Sequence, residues 1–186
     1  LKIDLKKLRE MHPQLPVDVA EIILLRAALA LQRNGHSSGV GLSLQVERLE
    51  SKGTLSWRTA DLSTITQHDT NRITEDGAEA LTLAVMHQDR QWRVVRRMQR
   101  EEFADWLLER DGDSGSETAA LEVSGVDKGG IASRLREKLS QVAKSTDVDQ
   151  KWAGVAGFEL PIATIESSTR GRRVTRFKGK SKRARQ

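Results

Sequence analysis

Residues 152–158 read Trp-Ala-Gly-Val-Ala-Gly-Phe, an apolar run too short for a core helix and without the alternation of a half-exposed strand. Such a nearly continuous apolar strand is expected when helices cover both faces of its sheet. The preceding segments fit that expectation. Residues 131–144 place Leu135, Leu139 and Val142 on one helical stripe after the breaker Lys128-Gly129-Gly130. Three strands are expected upstream, over residues 92–98, 103–109 and 119–126, the last two joined by an Asp/Gly/Ser loop at 111–115. Before them a helix over 74–88 carries Ala80, Leu81, Ala84 and Val85 on one side. The order helix, three strands, helix, strand implies an α/β sandwich.

Residues 1–73 read as an N-terminal subdomain of helices and a β-hairpin. A short amphipathic helix is expected over 1–11 and a longer one over 18–33, capped by Asp18 and stopped at Asn34-Gly35. A hairpin spans 39–59 with its turn at Ser51-Lys52-Gly53, and 60–73 is a polar connection. The core is expected over 74–169, followed by a tail over 170–186 that is disordered when unbound. No apolar run reaches the roughly 18 residues of a spanning helix. Hydrophobic residues at 37% and charged ones at 31% suit a globular protein, so a cytoplasmic location without membrane contact is the expectation. The chain opens on Leu1 rather than Met, which leaves open a segment upstream.

Charge divides unevenly. Arg170, Arg172, Arg173, Arg176, Lys178, Lys180, Lys182, Arg183 and Arg185 are 9 of the 31 basic residues, and no acid accompanies them. The remainder has 22 basic against 26 acidic residues, so a mildly acidic body carries a basic tail. Such a tail attracts phosphate backbones without reading sequence. It also has a plain reading as a solubilising end or a targeting signal. In the body, Arg93, Arg96, Arg97 and Arg100 form the densest basic group, suited to phosphates or to pairing with neighbouring acids. There is no cysteine, and His12, His36, His68 and His87 lack ligand-like spacing, which argues against zinc.

The hairpin over 103–126 carries the chemistry. With its loop centred between Asp113 and Ser114, Asp105 falls directly across from Glu122. Strand parity then places Phe103, Asp105 and Leu107 with Glu122 and Ser124 on one face, and Ala104, Trp106, Leu121 and Val123 on the other. Opposed carboxylates repel, and a divalent cation held by oxygen ligands is the simplest compensation.

In this context the chain resembles the PD-(D/E)xK nuclease superfamily from about residue 74 to 158. Ala104-Asp105 stands at the family's Pro-Asp position, and Leu121-Glu122-Val123-Ser124-Gly125 at its Glu-x-Lys position. The resemblance implies a three-layer restriction-endonuclease-like core. It implies Mg²⁺ or Mn²⁺ held by Asp105, Glu122 and the Val123 carbonyl, with Glu79 as an additional acid. The activity implied is hydrolysis of a phosphodiester, in DNA ahead of RNA, by a nuclease or endonuclease. Ser124 departs from the pattern, because it stands where the family has a lysine and carries no positive charge. In some members that lysine has moved to another element. Lys138 is the first substitute here, Lys128 the second, and Gln141 is a polar companion on the same helix face as Lys138. Lys138 and Gln141 also have a plain reading as part of a solvated helix face. The main rival is a nuclease fold without catalysis that binds nucleic acid or a partner protein. A third reading is a protein-interaction module whose tail only solubilises it. A protein partner or homodimer would supply the specificity for which no sequence-reading module is seen.

Overall fold

A computed structural model describes residues 1–112 and 115–168. Its centre is one eight-stranded mixed sheet, in the order β1-β3-β2-β8-β7-β6-β5-β4. The strands are β1 (Lys2–Asp4), β2 (Val40–Val46), β3 (Leu49–Ser56), β4 (Arg93–Arg97), β5 (Trp106–Gly112), β6 (Gly115–Val126), β7 (Gln150–Gly157) and β8 (Ile162–Ser167). The helices are α1 (Leu8–Met11), α2 (Val17–Arg33), α3 (Thr70–Arg90) and α4 (Ile131–Val142). Strands β4, β5 and β6 form an antiparallel meander, and β7 returns parallel to β6 after the α4 crossover.

The two faces follow from side-chain alternation. Trp106, Leu108, Leu121, Val123, Trp152 and Ala156 join the large core beneath α2 and α3. Ala120, Ala153 and Val155 face the opposite way, onto Leu135 and Val142 of α4. β7 is therefore covered on both sides, the condition its apolar sequence demands.

The N-terminal region departs from its expected form. Residues 2–4 are a strand rather than a helix, parallel to β3 at the sheet edge, and buried Ile3 anchors it. Gly53 lies inside β3, not in the turn, which is at Glu47-Arg48. A Cβ on Gly53 would sit 2.5 Å from the Leu1 carbonyl oxygen, so the absent side chain admits the β1 end. The helix expected from residue 74 begins at Thr70, because the Asp69 carboxylate accepts from the Arg72 N–H and caps it. β8 was not expected at all. It pairs antiparallel with β7 and parallel with β2, which fuses the N-terminal hairpin to the core sheet. The expected boundary at residue 73 thus falls within α3, and α2 shares one core with β5–β7. The basic tail, residues 170–186, lies outside the described residues. Among the described residues no helix is long and apolar enough to cross a membrane.

Candidate active site

The site forms where β5 leaves β6. Their last rung pairs Trp106 with Leu121, and the whole register matches the one that sets Asp105 against Glu122. The chain before Trp106 does not continue as a strand. Phe103 has φ 60°, in the left-handed region, so the parity expected for 103–105 breaks. Ala104 packs towards α4 beside Met98 and Ala120, rather than with Trp106.

Beyond Leu121, the edge of β6 has lost its backbone partner, and carboxylates replace it. The Val123 N–H donates to Asp105 Oδ2 at 2.8 Å, and the Gly125 N–H donates to Glu75 Oε2 at 3.0 Å. Glu75, which the sequence reading missed, also accepts from Ser124 Oγ at 3.2 Å. Gly125 makes this possible: a Cβ there would lie 2.2 Å from the Thr74 carbonyl oxygen, so only glycine lets the start of α3 approach β6. Glu75 and Glu79 are one helical turn apart on the same side of α3, a spacing that could have revealed the first from the second. The Val123 carbonyl shares its strand edge with the Val123 N–H, so it points into the same gap.

Glu122 and Ser124 project on the α4 side of β6. Lys138 Nζ donates to Glu122 Oε1 at 2.6 Å, with the lysine side chain 17% and the glutamate 3% exposed. Gln141 Oε1 stands 3.5 Å from the same ammonium. The structure therefore brings Lys138 and Gln141 to the paired acids. Lys128 is turned outwards, 4.0 Å from Glu159 and 78% exposed. On the other flank, Glu79 is buried and held by Arg97 at 2.6 and 3.2 Å, with the guanidinium stacked 4.4 Å from the Trp106 ring centre. The other arginines divide. Arg93 pairs with Asp111 and Arg96 with Glu102, whereas Arg100 is exposed and forms no ion pair among the described residues.

Burial and mutual repulsion raise the carboxyl pKa values. Glu122 is pushed up to about 7, first by burial and then by the Asp105 charge, against the pull of Lys138. Glu79 also rises to about 7, through burial opposed by Arg97 and reinforced by Asp105. Asp105 lies above its ordinary value because burial outweighs the Val123 N–H, Lys138 and Arg97. Burial and like-charge repulsion are the means by which active sites shift carboxyl pKa values, and structural ion-pair networks shift them in the same way.

Whether a divalent cation suits these residues rests on two observations. Glu122 Oε2 is buried without a hydrogen-bond partner. Four acids, Glu75, Glu79, Asp105 and Glu122, stand against the cations Arg97 and Lys138, so the ionised cluster keeps two uncompensated negative charges. Among the described residues, no three acidic or histidine side chains converge as a ready-made cage. Mg²⁺ does not require one, since it is commonly held by one or two carboxylates with water and substrate oxygens. The residues fit such an ion. Comparison of the chain with family models, curated proteins and solved structures gave no match.

Proposed function

We propose that the protein is a metal-dependent nuclease that hydrolyses phosphodiester bonds in DNA, built on a core of the restriction-endonuclease type. The observation that carries this reading is the Lys138 ammonium, delivered from α4 to Glu122 in place of the lysine missing at Ser124. The meander β4–β6, the α4 crossover and the parallel return of β7, with α3 and α4 on opposite faces, support it further.

In this reading Asp105, Glu122 and the Val123 carbonyl would hold Mg²⁺ or Mn²⁺. The ion supplies Lewis-acid polarisation of the phosphodiester and a lowered pKa for the attacking water. Lys138 offsets negative charge that develops on the phosphate and orients the water, while Gln141 keeps the ammonium directed into the cleft. Ser124 is committed to Glu75 and fixes the β6 edge rather than replacing the lysine charge. Glu79 with Arg97 forms the wall beside Asp105, which leaves Arg97 a poor free phosphate ligand. Arg100 and the tail residues Arg170, Arg172, Arg173, Arg176 and Lys178 attract the DNA backbone.

One feature favours the rival, a nucleic-acid-binding subunit without catalysis: Glu122 Oε1 has a cationic partner in Lys138 without any metal. A cleavage assay with Mg²⁺ separates the two, using the intact protein and the variants Asp105→Ala, Glu122→Ala and Lys138→Ala. The nuclease reading expects cleavage by the intact protein and its loss in all three. DNA binding without cleavage by the intact protein selects the rival.

A further inference from the structure

All four tryptophans and Phe158 are buried, whereas Phe103 is 41% exposed and belongs to neither core cluster. Its backbone is left-handed, a conformation that costs a non-glycine residue about 1–2 kcal/mol and that glycine adopts freely. The fold therefore carries a phenyl ring, two residues before Asp105, where a glycine would relieve the chain. The 3₁₀ turn Arg100–Glu102 ends at this residue, and Ser145 Oγ donates to the Glu102 carbonyl at 2.6 Å, tying the turn to the end of α4.

The ring lines a shallow cleft of about 520 Å³ with Arg100, Glu137, Ser140, Gln141 and Lys144. Lys144 Nζ lies 5.7 Å from the ring centre, and neither Lys144 nor Arg100 forms an ion pair among the described residues. The one acid of the cleft, Glu137, is paired with Arg134. Gln141 lines this cleft and lies 3.5 Å from the Lys138 ammonium, so the cleft adjoins the Lys138–Glu122 pair. The half-exposed ring, with the Lys144 ammonium over one face and Arg100 lining the same cleft, is complementary to a flat base with phosphates on either side.

Resting on the nuclease reading, we infer that Phe103 is a stacking platform for an unpaired base next to the bond being cut, with Arg100 and Lys144 holding the neighbouring phosphates. The preferred substrate is then single-stranded DNA, or a frayed or flapped strand, rather than a continuous duplex, in which bases have no free face.

The test measures binding of the full chain without divalent metal to a labelled single-stranded DNA, a blunt duplex and a single-stranded RNA of the same sequence. The variants are Phe103→Leu, Phe103→Gly and Phe103→Tyr. Stacking predicts that Leu and Gly weaken single-strand binding by about 5- to 100-fold and leave duplex binding nearly unchanged, while Tyr retains affinity. Quenching of a 2-aminopurine in the strand should likewise vanish in the Leu variant. Phe103→Gly relieves the left-handed backbone, so its thermal midpoint should not fall and lost binding cannot be assigned to misfolding. Equal single-strand affinity in all variants, or equal losses for strand and duplex, overturns the platform. If Asp105-dependent cleavage persists alongside such a result, only the platform falls. Tighter Phe103-dependent binding of RNA than of DNA overturns the assignment of the substrate as DNA. Absence of both binding and cleavage rejects the platform and the nuclease together.

Discussion

Asp105→Asn should make the metal-free protein more stable at pH 8 while abolishing its proposed chemistry. The amide oxygen of Asn still accepts from the Val123 N–H, so the cap on β6 persists. The charge that repels Glu122 disappears. Glu122 rises from 4.5 to about 7, and one pKa unit is worth about 1.4 kcal/mol, so keeping it ionised at pH 8 costs about 3 kcal/mol. Burial is the larger cause and Asp105 the second, so removing the Asp105 charge recovers part of that cost. A raised carboxyl pKa contributes stability that is present below pH 4.5 and is lost as pH climbs through 7. The gain from the mutation must therefore be absent at pH 4 and full at pH 8. For a chain of this size each kcal/mol recovered raises Tm by about 2–4 °C, measurable by calorimetry in EDTA at both pH values. Added Mg²⁺ should then stabilise the intact protein, by about 2.7 kcal/mol at a hundredfold excess over Kd, and leave the variant unmoved. A Tm that falls at pH 8, or a gain of equal size at pH 4, would refute the reasoning that the pair is strained by charge.

Lys138→Met keeps the packing of the stem and removes the ammonium, so Glu122 should titrate higher still. Cleavage should drop at least about 100-fold with little change in DNA affinity; equal kcat in variant and parent would remove Lys138 from the mechanism. His12 bridges α1, α3 and β4, accepting from the Val94 N–H through Nδ1 and lying 3.1 Å from the Leu83 carbonyl through Nε2. Burial holds its pKa down to about 4, so it contributes about 3 kcal/mol that is fully present above pH 6.5 and is lost as pH falls towards 4. In urea titrations at pH 7 and pH 4.5, His12→Gln should lack this part of the pH dependence, and identical pH slopes would rule it out. Deleting residues 170–186 should weaken binding to a nonspecific duplex and flatten its salt dependence by about 0.9 in log–log slope for each lost phosphate contact. An unchanged slope would make the tail a passenger and Arg100 with Lys144 the main phosphate track.

Much of the candidate site was legible because it depends on local periodicity. The β5–β6 register follows from one short loop and a period of two, and extended by one residue beyond Trp106–Leu121 it sets Asp105 opposite Glu122. The helical repeat of α4 likewise put Lys138 and Gln141 on one face, and the apolar run of β7 required cover on both sides. What the sequence withheld is long-range. β1 and β8 are short and lie next to their partners only through pairing with distant segments, which leaves no local signature of their place. Glu75 becomes part of the site only because Gly125 lets α3 approach a strand fifty residues away. The left-handed turn at Phe103 is imposed by the anchored 3₁₀ segment and the splaying of β5, against the residue's own preference. Periodicity reports which side of an element is buried, whereas tertiary packing alone decides how deeply Glu79 and Glu122 are buried and which charges they meet, and that burial first, with the Asp105 charge after it, raises both to about 7.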